Sequence, residues 1–230
     1  LPRLAHQALQ RPPDRESPAL LALLAEQRRT WMSEVRDVVT QAQQQSPGLA
    51  DQLGRFYAEL HRLPPARMRA VGALPVRPWE SPTAMRRRAL PLLPAAWRER
   101  AERLVREYAK LPADPLGSIF GFFDGHGWNM AFDSEAGRLN GVYDFADAGI
   151  GPLHQEFIYS AFIDADLTER IVAAYERFSG RRLERRRIAL LTAAHRLSEL
   201  AELADEPRHL PDMLAGALDG LALAEAQGLA

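Results

Sequence analysis

Residues 120–133 read FGFFDGHGWNMAFD, and residues 139–151 read LNGVYDFADAGIG. Both stretches are aromatic and β-branched, unlike the Leu-, Ala- and Arg-rich sequence around them, and both set bare polar groups among strand-like residues: Asp124, Asn129 and Asp144. A carboxylate among apolar side chains costs free energy unless it is paired or holds a cation. The pattern predicts two or three short strands, within 117–123, 128–133 and 138–145, separated by Asp124-Gly125 and by the turn segment DSEAGR. A hairpin of this kind can bring all three polar side chains together. An amide oxygen and a carboxylate suit Mg²⁺, which keeps several waters and shares phosphate oxygens. A second carboxylate nearby can orient an attacking hydroxyl. Positioning, a metal clamp and a proton acceptor are what phosphoryl transfer needs. Each residue also has a plainer role open to it: a turn at Asp124-Gly125, backbone satisfaction by Asn129, and a cap from Asp144 on the turn at 146–149.

Outward from this region the period becomes helical. Upstream, residues 17–45 carry apolar residues at helical spacing behind Ser17-Pro18, and Ser46-Pro47-Gly48 reads as a stop and a new start. Residues 49–63 then place Leu49, Leu53, Phe56, Leu60 and Leu63 on one helical face. Residues 64–84 are proline-rich and read as a loop or broken helix, and 94–111 as a strong helix. No strand is expected before residue 117. Downstream, helices are expected over 151–163, 166–180, 183–203 and 210–227, with Asp166 or Thr168 capping the second and Gly180 ending it.

The bulk composition narrows the function class. The 230 residues are 47% hydrophobic and 26% charged, an ordinary globular balance. The absence of cysteine excludes disulfides and thiolate metal sites. No apolar run is long enough for a membrane span, and the N-terminus lacks a signal-peptide core, so a cytoplasmic location is the expectation. The net charge of −1 hides an asymmetry: residues 1–115 carry 19 basic and 12 acidic side chains, residues 116–230 carry 10 and 18. The acidic half argues against a nucleic-acid surface there and suits either a cationic ligand or a solvated helical surface. All basic residues are arginine except Lys110.

The spacing D-x-H-x-x-N, an apolar strand, then a strand ending in D-F-x-D-A-G-I-G, resembles the aminoglycoside phosphotransferase/choline kinase family. Residues 49–64, LADQLGRFYAELHRLP, are similar to that family's helix ending in Leu-His, and 171–180, IVAAYERFSG, to its tyrosine-containing helix after the second metal motif. The resemblance covers roughly residues 49–205. It implies the C-terminal, helical lobe of a protein-kinase-like fold, mainly α with a small β-hairpin region. Under it, residues 49–230 form the lobe, with a catalytic and metal hairpin at 117–151 and a helical substrate-side bundle at 153–230. Asp124 matches the base that accepts the substrate hydroxyl proton, Asn129 and Asp144 match the Mg²⁺ ligands, and His126 matches a loop-supporting histidine. Glu156 matches an acidic residue of structural role. The implied cofactors are Mg²⁺ with ATP or another nucleoside triphosphate. The implied partner is a small-molecule hydroxyl, with a cationic acceptor as one option, and neither nucleic acid nor membrane is expected.

Two departures accompany the resemblance. Phe122-Phe123 stand where the family commonly has His-Gly ahead of the catalytic aspartate. Residues 1–48 do not read as a nucleotide-binding β-lobe: no Gly-rich loop or lysine-bearing strand precedes residue 117, so the β-lobe is expected to be absent or not included. A chain without it is expected to bind Mg-ATP feebly or not at all. A non-catalytic binding or scaffold module therefore stands beside the enzyme reading, and a purely helical interaction domain with an incidental hairpin is a third option. The candidate carboxylates for facing a cationic acceptor are Asp164, Asp166, Glu199, Glu202, Asp205 and Glu206, with Trp79, Trp97 and Trp128 as a candidate aromatic wall.

Overall fold

The computed structural model describes residues 48–133 and 135–229, which belong to one unit running from Thr40 to Ala230. The helix expected over 17–45, and the reading of 1–48 as a segment apart apart from Gly48, lie outside the described residues. The first described element is α1 (Gly48–Leu60). Its buried face carries Leu49, Leu53 and Tyr57, whereas Leu63, expected on the apolar stripe, is exposed beyond the helix end. Here α1 packs on α4 (Ala165–Ser179). Gly54 permits the approach, because a Cβ there would sit 2.5 Å from the Ala174 Cβ.

Residues 64–84 fold as expected into broken pieces, α2 (Pro65–Ala70), an extended run and a short helical turn at Pro82–Ala84, and a π-helical stretch at Met85–Ala89 and a 3₁₀ turn at Leu90–Leu92 follow. Then α3 (Ala95–Ala109) runs to the C-cap Lys110, which is exposed.

Four short strands follow: β1 (Ser118–Gly121), β2 (Met130–Asp133), β3 (Arg138–Val142) and β4 (Gly149–Pro152). They form two separate antiparallel pairs, β1 with β4 and β2 with β3. The fourth strand was not expected, and residues 128–129 are not strand but part of a 3₁₀ turn, Gly127–Asn129. The extended run also touches the β1–β4 pair. Pro75 bridges Ile150 in parallel: Ile150 N donates to Leu74 O (2.9 Å) and Val76 N to Ile150 O (3.1 Å).

The segment after β4 is not the expected helix. It makes two 3₁₀ turns, Leu153–Phe157 and Tyr159–Phe162. Beyond them come α4, α5 (Arg185–Glu202) and α6 (Leu210–Ala226). Asp164, rather than Asp166 or Thr168, caps α4, its side chain accepting from Leu167 N at 2.7 Å. Gly180 ends it with φ +73°, as expected of a glycine C-cap. The bundle core joins Met85, Leu93, Leu104 and Val105 to Leu190, Leu197, Leu200 and Leu221. Fully burying one such side chain contributes about 1.5–3 kcal/mol. A second, aromatic core of Tyr57, Phe157 and Tyr175 lies under the motif region, with Phe157 and Tyr175 centroids 4.8 Å apart.

Candidate active site

The first motif sits on the loop between β1 and β2. Its geometry begins with Phe123, a bulky residue held at φ +54°. Asp124 follows and is half-buried. Asn129 Nδ2 donates to Asp124 Oδ2 at 2.6 Å and approaches the Asp124 carbonyl at 3.2 Å. Trp128 N donates to His126 Nδ1 at 3.3 Å, which leaves Nε2 as the protonated nitrogen of a neutral ring. That Nε2 lies 3.0 Å from Asp124 Oδ1. Both carboxylate oxygens are thus oriented, one by an amide and one by an imidazole, and each keeps a lone pair for a further proton.

The second motif enters through the hairpin. Met130 pairs with Val142, and Tyr143 N donates to Asn129 O at 3.0 Å. Asp144 therefore follows the residue paired with Asn129, at the open end of the β2–β3 hairpin rather than at its turn. Asp144 is exposed, sits at φ +60° and receives Ala146 N on Oδ1 at a long 3.4 Å. The structure brings Asp124, His126 and Asn129 into direct contact and sets the Asp144 backbone beside them.

The donor set fits a hard cation that takes few protein ligands. Among the described residues no group of three or more His, Cys, Asp or Glu could hold a metal ion. A cation at Asn129 Oδ1 and Asp144 would draw its other ligands from water and phosphate, as Mg²⁺ does.

Residues 3–191 match the phosphotransferase enzyme family, APH. The chain belongs to this family. The matched span starts upstream of residue 49, where the motif resemblance begins. No curated protein matches the chain. Among solved structures, the apoenzyme of macrolide 2'-phosphotransferase MphH from Brachybacterium faecium is similar at 19% identity and a TM-score of 0.51, covering 73% of this chain and 58% of that one. A macrolide 2'-phosphotransferase type I is similar at 17% identity and a TM-score of 0.53, covering 72% and 57%. At these identities the likeness is one of fold: a mainly helical chain with small antiparallel sheets matches part of a kinase-like phosphotransferase. This chain spans less than two thirds of the length of either structure.

In this APH chain the departure at Phe122 has a physical replacement. The Phe122 ring is fully buried, 4.8 Å from Phe145 of the second motif and 6.3 Å from Phe56 of α1. Aromatic packing between the two motif loops stands where a hydrogen-bonding histidine is usual. Glu156, read as structural, has a specific job. Its carboxylate accepts Phe122 N and Phe123 N, both at 2.9 Å. Gly121 makes room for it, because a Cβ there would collide with Glu156 Oε2.

Burial, and behind it the carboxylates of Glu156 and Asp124, push the Tyr57 phenol well up. Burial also raises Tyr159, against a Gln155 hydrogen bond and with help from Glu156, Asp124 and Asp147. Both phenols stay protonated beside the motif carboxylates, and neither was singled out from sequence. Tyr57 and His61 are four apart on one helical face, a spacing that could have flagged them together.

The carboxylates considered for a cationic acceptor are mostly engaged elsewhere. Asp164 caps α4, Asp166 pairs with Arg170, Glu202 with Arg77 and Asp205 with Arg88. Glu199 lies 2.9 Å from Arg196 Nη1 and 3.5 Å from His195 Nδ1. Trp79 stands edge-on to His195 at 4.8 Å, Trp97 lies under Arg100, and Trp128 neighbours His126, so the three tryptophans form no single wall.

No helix among the described residues is long and apolar enough to cross a membrane.

Proposed function

We propose that this chain carries the catalytic part of a small-molecule phosphotransferase, moving the γ-phosphate of ATP or another nucleoside triphosphate to an acceptor hydroxyl. The observation that carries the reading is the Asn129–Asp124 contact at 2.6 Å, on a loop whose hairpin leads directly to Asp144. Asp124 takes the proton of the attacking hydroxyl. Asn129 and His126 hold its two oxygens, so the carboxylate meets the hydroxyl in one orientation. Asn129 Oδ1 and Asp144 would hold Mg²⁺, which when bound neutralises phosphate charge. The two structural relatives are named as macrolide 2'-phosphotransferases, which makes a macrolide hydroxyl the first acceptor to assay.

Asp124→Asn is expected to lower kcat by at least about 100-fold while circular dichroism and thermal unfolding stay at wild-type values. Unchanged turnover removes Asp124 from the base role. A second reading, a non-catalytic binding module, is favoured by Lys110: the chain's single lysine caps α3 at an exposed position. Titration calorimetry with Mg-ATP separates the two, since micromolar affinity supports the enzyme and no heat supports the module.

A further inference from the structure

The β2–β3 hairpin has Asn129 just ahead of β2 and Asp144 just beyond β3, yet it is a two-stranded sheet separate from β1–β4. A two-stranded hairpin is marginally stable on its own in water. This one is also interrupted at its middle. Met130 pairs with Val142 and Ala131 with Gly141, then the register shifts, and Phe132 pairs with Leu139 and Asp133 with Arg138. Such an irregularity disrupts the ladder locally. Asn140 and Gly141 add little, being poor strand formers. A ladder of this kind depends on contacts from outside it.

One such contact comes from α1, against which β3 lies. The half-buried Gln52 accepts Leu139 N on Oε1 at 2.8 Å and donates from Nε2 to Gly137 O at 3.4 Å. The first bond is short and firm, the second long. The two main-chain groups flank Arg138. Ile150 takes Leu74 O and Val76 N, which flank Pro75, in the same way. A side-chain amide carries the donor and acceptor of a peptide group. Gln52 thus stands beside β3 as a third strand one residue long.

At the open end of the hairpin, Tyr143 N donates to Asn129 O at 3.0 Å, and the Tyr143 hydroxyl donates to Trp128 O. Asp144 is the next residue, so these bonds set its place relative to Asn129. We infer that Gln52 is a positioning residue for Asn129 and Asp144, acting through the main chain of β3. The inference rests on the reading of that pair as the Mg²⁺ holders, but the clamp itself can be measured without turnover or metal.

Gln52→Met keeps the reach of the side chain and removes both polar atoms. By NMR hydrogen exchange, the Leu139 and Tyr143 amides are expected to exchange at least about tenfold faster, with Ile150 in β4 and Leu197 in α5 within about twofold of wild type. Gln52→Glu keeps an acceptor for Leu139 N and is expected to recover much of the protection at both amides. In the phosphotransfer assay, Gln52→Met is expected to raise the Mg²⁺ concentration for half-maximal rate by about tenfold. Its kcat at saturating Mg²⁺ and the pH profile of kcat are expected to stay at wild-type values.

Wild-type exchange at Tyr143 overturns the inference even if Leu139 is released, because the clamp would then hold only the turn. An equal rise at Ile150 and Leu197 also overturns it, by making Gln52 an ordinary stability contact. If the wild-type chain transfers no phosphate to any acceptor, the proposed function falls, and the exchange pattern still decides whether Gln52 holds the junction of Asn129 and Tyr143.

Discussion

Among the described residues, Phe123 and Asp144 are the non-glycine residues at positive φ, and each belongs to one of the two motifs. Such conformations cost roughly 1–3 kcal/mol apiece and persist where surrounding contacts enforce them. Gly125 shows how tightly the first loop is enclosed. A Cβ there would collide with the hydroxyl of Tyr57, whose ring is buried and cannot swing away. Gly125→Ala is therefore expected to cost about 1–3 kcal/mol in urea unfolding. Adding Tyr57→Phe removes the oxygen and is expected to recover most of that loss. Additive losses in the double variant would show that the two positions do not touch.

At the scale of elements, Asp164 offers a clean measurement. It lies outside both motifs, and its carboxylate satisfies the Leu167 N–H at the start of α4. Asp164→Ala is expected to lower unfolding free energy by about 1 kcal/mol without changing turnover. A loss of activity at full stability would instead give Asp164 a part in acceptor binding.

The same element shows what could be read in advance. The helices α1, α3, α4, α5 and α6 were legible because apolar spacing and proline or glycine punctuation are local properties. The motif residues were legible for the same reason: Asp124, His126 and Asn129 lie within six consecutive positions. The segment LHQEF departs from the expected helix: its apolar residues fit one, yet Glu156 reaches back to Phe122 and Phe123 from a 3₁₀ turn. β4 is built from Gly-Ile-Gly-Pro, which has almost no strand signature, and it forms by pairing with β1. The contact between His61 and Glu156 has no local signature, since the two lie 95 positions apart.

Across the molecule, the opposite charges of the two halves meet as ion pairs. Arg77 reaches Glu202, Arg88 reaches Asp205 and Arg100 reaches Glu225. Exposed pairs of this sort contribute about 0–1 kcal/mol each. Glu199 is different because it is more enclosed. Burial would raise its carboxyl, but the neighbouring His195 and the charge and hydrogen bond of Arg196 outweigh this and hold it at about 2, against an ordinary 4.5. Arg196 at 2.9 Å is the firmer of the two partners. A depressed folded-state pKa adds stability above the ordinary value, and that stability fades as pH falls through the folded value. Asp114 and Glu176 are lowered too and act in the same direction. Thermal unfolding is expected to show the wild type losing stability as pH falls from 4.5 toward about 2. Glu199→Gln is expected to be less stable at neutral pH and to converge with the wild type at the acid end. Parallel curves would mean that Glu199 titrates as an ordinary carboxyl.

The parallel bridge at Pro75 bears on what the outer side of this short extended run can offer to another strand. Leu74 O and Val76 N face β4 and are used there. The residue between them turns its main chain to the outer side, and as proline it has no N–H to offer. A strand approaching from a neighbouring molecule would find its acceptor unanswered at that position, a feature that blunts sheet edges against self-association.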